Sequence, residues 1–182
     1  LVGSEMCIRD SLESAMSTAQ IGGHSYGLAL NTNTKILFYN QKALEDAGLS
    51  VPSDMDEFVE AVKQLSGSNK NGQQVWGYDE PALAGWNLCP FIWSCGGELT
   101  SPDQKTATGY INSPETVAAV QLLADLYGEG CITGWNSGDI PMTDGFGTGR
   151  YMMLLEGPWK IAEMQGAYPA VSYTHLRAHE TS

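Results

Sequence analysis

Glu156-Gly157-Pro158-Trp159 puts a carboxylate, a tight corner and a flat indole within four residues, directly after the apolar run Tyr151 to Leu155. That run, bounded by Gly149 and Gly157, has the length of an interior strand rather than of a helix. Gly157 suits an N-cap and Pro158 the first helical position, where proline's missing N–H would have no partner anyway. Trp159 therefore falls at the carboxyl end of a strand, the edge where open α/β sheets bind ligands. A Trp there either closes the strand–helix corner as core or offers a stacking face with one N–H donor. The second role suits a ligand that is apolar on one side and hydroxylated at its rim, as a pyranose is. Asn87 and Glu156 are rim donors or acceptors in the second reading and surface or capping residues in the first.

Other chemistry is weakly written. A glycoside hydrolase needs two carboxylates flanking one cleft; Glu156 and Asp144 are the candidates, and nothing in their spacing makes them converge. Gly145-Phe146-Gly147-Thr148-Gly149 is glycine-rich but precedes an apolar strand instead of opening a helix, which is the wrong context for a phosphate loop. His24 is the one histidine outside the last residues, so no Ser-His pair is indicated. His175 and His179, an i, i+4 pair, lie in a stretch given no weight below, and no metal or cofactor is expected. Cys7, Cys89, Cys95 and Cys131 form no CxxC and no zinc spacing; buried thiols are expected, with a Cys95–Cys131 bridge as the alternative.

The formal net charge is −12, which argues against a polyanion partner, because nucleic-acid binding rests on Lys and Arg neutralising phosphates. The acidic residues are scattered, as on a solvated surface. No apolar run approaches the roughly 18 residues of a membrane span. Residues 1–11 and 171–182 have neither clear periodicity nor a closing element and look like translated sequencing-adapter read-through, so they are set aside. The missing secretory signal then carries no weight. The expected organisation is a partial chain over 12–170 between two adapter-derived tails.

Several elements must position these residues. Tyr26 to Leu30 and Lys35 to Tyr39 read as strands around the polar turn Asn31 to Thr34. Asn40 caps a short helix stopped by Gly48. Ser53 with Asp56 resembles a capping box before the amphipathic Met55, Phe58, Val59, Val62, Leu65. Val75 to Tyr78 is a strand. A helix carrying Trp86 near its start follows, with Trp93 and Trp76 read as core. Tyr110 to Asn112 reads as extended. Ser113 and Pro114 open the longest helix, which Gly128 ends. Trp135 to Gly149 is a loop with a short helix over Asp139 to Phe146, and Trp135 is open as a further platform.

The set Leu37-Phe38-Tyr39-Asn40, Ala47-Gly48-Leu49, Asp56-Glu57-Phe58, Gly96-Gly97, Asn112-Ser113-Pro114-Glu115 and Gly149-Arg150-Tyr151-Met152-Met153 running to Gly157-Pro158-Trp159 is specific in its order and spacing. It resembles the extracellular solute-binding proteins of ABC importers, in the carbohydrate-binding family that is maltose-binding-protein-like, over roughly Tyr26 to Met164. The resemblance implies an α/β, type II periplasmic-binding-protein-like fold, here mainly the second lobe and one inter-lobe crossing near Leu30 to Lys35. The two lobes of such proteins close on a solute by hinge motion. By position, Trp159 matches the family's sugar-stacking Trp, Trp86 a second stacking aromatic, and Asn33 a carboxylate that bonds sugar hydroxyls. An amide replaces that carboxylate here, and the segment Glu80 to Trp86 aligns with the family's Glu-Pro-aromatic motif only to within several residues.

The implied partners are a sugar or oligosaccharide and the transmembrane subunits of an ABC permease. The implied location is extracytoplasmic, with membrane contact only through a lipid anchor outside this sequence, as a lipoprotein monomer. Asn33 also fits a plain turn residue. Two rivals remain. One is a hydrolase. The other is the same fold holding a polyamine, an amino-acid derivative or a metal chelate, which an anionic aromatic cleft would favour by cation–π attraction and ion pairing.

Overall fold

The computed structural model describes residues 16, 17, 19–28, 33–136 and 138–169, and residues 176–180 in backbone alone. The chain divides into two units, Leu1–Thr34 and Lys35–Ser182. Within the first, β1 (Gln20–Ile21) and β2 (His24–Ser25) form a short antiparallel hairpin. Tyr26 to Leu28 lie outside any strand, contrary to expectation, and Ala29 and Leu30 lie outside the described residues.

The second unit is built on β3 (Ile36–Asn40), β5 (Gln74–Asp79) and β7 (Tyr151–Glu156). β7 runs parallel to β5, with Tyr78 opposite Met153, and antiparallel to β3, with Ile36 opposite Glu156. β4 (Gly67–Ser68) and β6 (Ile132–Thr133) pair with β5.

Both faces of β7 are covered, which explains its uninterrupted apolar sequence. Met153 and Leu155, with Leu37, Tyr39 and Tyr78, meet Leu44 of α1 (Gln41–Asp46), Phe58 and Val62 of α2 (Met55–Leu65), Phe91 of α3 (Gly85–Ser94), and Leu123 and Leu126 of α4 (Pro114–Gly128). On the opposite face Leu154, Ile36 and Phe38 meet Phe146 of α5 (Met142–Gly147) and Met164 of α6 (Trp159–Ala167). Gly77 lets α2 approach β5 closely, since a Cβ there would lie 2.0 Å from the Val62 carbonyl oxygen.

The caps explain most boundaries. The Asn40 side chain accepts from the Ala43 N–H and Ser113 from the Thr116 N–H, as their sequence positions imply. In α2 the box is shifted by one residue: Asp54 caps the Glu57 N–H, and the Glu57 carboxylate accepts from the Ser53 N–H and hydroxyl. Glu reaches back where Asp56 is a methylene short. Tyr110 to Asn112 form a turn rather than an extended piece, with the Asn112 side chain accepting from the Gly109 N–H.

Trp93 is 56% exposed rather than core. The reason is that α3 is apolar around most of its circumference, so spacing does not say which face is buried. Trp76 is half-buried, under the Arg150 guanidinium and against the Tyr151 ring. Cys89, Cys95 and Cys131 are free thiols, so the Cys95–Cys131 bridge does not form, and Cys89 and Cys95 are only half-buried; Cys7 lies outside the described residues.

The last stretch is not without an element: β8 (Leu176–Glu180) pairs antiparallel with β3. The pairing is through backbone, and the outer edge of β3 offers unpaired N–H and C=O groups that an extended segment satisfies with little regard to side chains. His179 lies in β8, and His175 falls outside the described residues. Among the described residues no group of His, Cys, Asp and Glu could hold a metal ion, and no helix is long and apolar enough to cross a membrane.

Candidate functional site

The carboxyl ends of β5, β6 and β7 lie at one edge of the sheet, because the three strands are parallel; β3, being antiparallel, starts there. Asp79 and Glu80, Glu156 and Lys35 therefore share that edge. α3 and α6 start just beyond it and bring Trp86 and Trp159.

The two indoles meet. Their ring centroids are 6.0 Å apart with planes inclined by 26°, and the residues are 44% and 45% exposed. Neither is sealed in the core. Trp86 Nε1 donates to Glu156 Oε1 at 3.3 Å, and the Gly157 N–H donates to the same oxygen at 2.8 Å. The Lys35 ammonium sits 5.2 Å from the Trp86 ring centroid and donates to the Leu155 carbonyl at 3.1 Å. Thus Trp86 is held by a carboxylate at its N–H and a cation over its ring, each contact adding rigidity to an exposed aromatic.

Beneath the indoles lies a charged layer. Glu80 is fully buried and accepts from the Tyr78 hydroxyl at 2.9 Å and from Asn87 Nδ2 at 2.6 Å. Burial pushes its carboxyl above the usual range, against the pull of these two donors and of Lys35. Burial likewise lowers Lys35, an effect that Glu80 and Glu156 oppose. Burial and Glu80 raise the Tyr78 phenol. Asp79, 2% exposed, is pushed up to about 7 by burial, then by Glu80 and Asp139, with Lys160 pulling the other way.

The sign for stability follows. Asp79 holds its proton more tightly folded than unfolded, so its contribution is fully present below about pH 4 and is lost as pH rises to about 7. The melting temperature is expected to fall between pH 5 and pH 7.5, and less steeply in Asp79→Asn. Scanning calorimetry at a series of pH values reads both, and identical profiles would show that Asp79 has no part in the slope.

Of the residues singled out by sequence, Trp159, Trp86 and Glu156 stand together at the edge. Asn87 is next to them but buried, its amide turned inward to Glu80, so it is neither surface nor cap. Asn33 is exposed and belongs to the first unit. Trp135 stacks on Tyr127 at 4.7 Å between centroids and packs against the core. Asp144 accepts from the Tyr168 hydroxyl, a different partner from those of Glu156. Lys35, Asp79 and Glu80 carried one readable signal, a charged residue flanking an apolar strand at its ligand-facing end.

The sequence profile described as "Bacterial extracellular solute-binding protein" matches residues 8–175. A curated relative described as a binding protein, from Brucella abortus (strain 2308), is 22% identical over 170 residues, covering 89% of this chain and 39% of its own. Among solved structures, the GacH receptor of Streptomyces glaucescens, solved unliganded and with acarbose, superposes with a TM-score of 0.75 at 21% identity, covering 95% of this chain and 43% of that one. Maltose-bound MalE3 of T. maritima gives 0.76 at 21% identity, with 98% and 46% covered. UgpB of Mycobacterium tuberculosis, in complex with glycerophosphocholine, gives 0.69 at 21%, with 88% and 40% covered. The chain thus spans under half the length of these relatives, and its α/β architecture is part of the type II periplasmic-binding-protein-like fold.

Proposed function

We propose that this chain, which belongs to the bacterial extracellular solute-binding proteins, serves an ABC importer by holding a sugar or oligosaccharide and delivering it to the permease. The observation that carries this reading is the pair of half-exposed indoles at the carboxyl edge of the sheet. An apolar ring face resting on indole is removed from water at near 25 cal/mol per Å². Each sugar hydroxyl, in contrast, only exchanges water for a protein partner, netting about 0.5–1.5 kcal/mol. A sugar lying between two indoles would need their planes about 7 Å apart, twice a van der Waals contact. At a 6.0 Å centroid separation the pair is closed on itself, so the solute stacks on an outer face.

Glu156 is the acceptor beside that face. Its Oε1 already takes two N–H groups, and Oε2 is left for a ligand hydroxyl. Asn87 supports the site from below through Glu80. No step of bond cleavage enters this reading: the protein holds its solute without changing it. It works outside the cytoplasm as a monomer, anchored by lipid or free, with no cofactor.

A second reading keeps the fold and takes a solute bearing a cation. Two observations favour it: carboxylates sit beside the indoles, and UgpB, of the same fold, is described with glycerophosphocholine. A thermal-shift screen separates the two, since a ligand that binds the folded state raises its melting temperature by mass action. Stabilisation by maltose and longer oligosaccharides is the expected result. Stabilisation by choline esters or polyamines alone transfers the site to the second reading, and turnover of a chromogenic glycoside overturns both.

A further inference from the structure

We propose that Gly157 is a positioning residue for the Trp159 indole, present because the ring lies where any side chain would begin. The proposal deepens the sugar-binding reading by naming what sets the pose of its platform. A Cβ on Gly157 would fall 2.1 Å from both Cη2 and Cζ3 of Trp159 and 2.5 Å from Cε3. These atoms belong to the six-membered ring, so the benzo half of the indole lies folded back over the Gly157 backbone.

The usual reason for a glycine does not apply. Gly157 is not in the left-handed region of φ that would exclude other residues, and the Cβ position meets the indole rather than backbone. No positive φ bars alanine here, and the three heavy atoms nearest its Cβ all belong to the ring. Trp159 turns about two side-chain torsions and is half-exposed, so the cheap response to a methyl group is that the indole leaves. The fold is expected to stay, because Trp159 belongs to neither buried cluster.

The same corner ties the two indoles to one frame. The Gly157 N–H and Trp86 Nε1 share Glu156 Oε1, and the Lys160 N–H returns to the Gly157 carbonyl to start α6. The backbone at Gly157 thus fixes Trp86 by way of Glu156 and seats Trp159 directly.

Two indoles this close couple their electronic transitions, so the pair gives a paired positive and negative band in far-ultraviolet circular dichroism. The band pair is isolated by subtracting the spectrum of Trp86→Phe. Gly157→Ala is expected to abolish the coupled band while the urea midpoint moves little, and to weaken oligosaccharide binding severalfold. An unchanged band in Gly157→Ala overturns the proposal, whether or not any sugar binds, so its failure is distinct from failure of the sugar reading. Urea midpoints of Gly157→Ala, Trp159→Ala and the double variant complete the test. Gly157→Ala should be silent once the indole is gone. A loss of equal size in both backgrounds, or a double variant that does not fold when Gly157→Ala alone does not, places the need for glycine in the backbone and overturns the proposal.

Discussion

Trp159→Ala is expected to weaken oligosaccharide binding at least tenfold. A tenfold change corresponds to about 1.4 kcal/mol, and taking on the order of 60–100 Å² of ring face out of water contributes roughly 1.5–2.5 kcal/mol at 25 cal/mol per Å². Loss of the indole also leaves Trp86 without its stacked neighbour, which adds to the effect through mobility of the remaining platform. Trp159→Phe should fall between wild type and alanine, since it keeps an aromatic face of smaller area. Titration calorimetry with maltotriose measures the affinities, and an unchanged constant in a folded Trp159→Ala protein refutes the stacking role. The polar comparison is Glu156→Gln, whose cost should be smaller than that of Trp159→Ala.

Glu80→Ala is expected to cost about 2–6 kcal/mol of folding stability, about 1–3 kcal/mol for each of two buried donors left without an acceptor. The substitution leaves the Tyr78 hydroxyl and the Asn87 amide without the acceptor that now answers both. Each stranded group carries its own desolvation penalty. Glu80→Gln keeps the volume and one acceptor and should cost less. Urea unfolding of the two variants reads the difference. Near-wild-type stability of Glu80→Ala would mean that water reaches this layer and satisfies its donors.

The sheet was legible because β3 and β7 are covered on both faces and so are written as unbroken apolar runs. The caps at Asn40 and Ser113 were legible because a cap is a local arrangement of one side chain and the N–H three residues on. Trp159 was legible for the same local reason, the Gly-Pro pair after the strand, although Pro158 rather than Gly157 is the N-cap and α6 opens at Trp159 itself.

What escaped is non-local. Nothing near Trp86 in the chain announces that its N–H will find Glu156 or that Lys35 will lie over its ring. Asn87, by sequence a rim, surface or capping residue, is buried instead because the three-dimensional position of Glu80 turns its amide inward. Trp93 was misplaced because a helix apolar on most sides has no face that spacing can pick. The one-residue shift of the α2 box turned on the reach of a single methylene.

β7 lies between two partners that come far earlier in the chain, residues 36–39 on one side and 76–79 on the other. During synthesis those earlier segments emerge well before the strand that joins them, and they wait with open hydrogen-bonding edges until residue 156 has left the ribosome. Long-range pairing of this kind folds slowly and leaves sticky intermediates exposed. A protein built this way gains from any factor that keeps its nascent chain apart from others until the middle strand arrives.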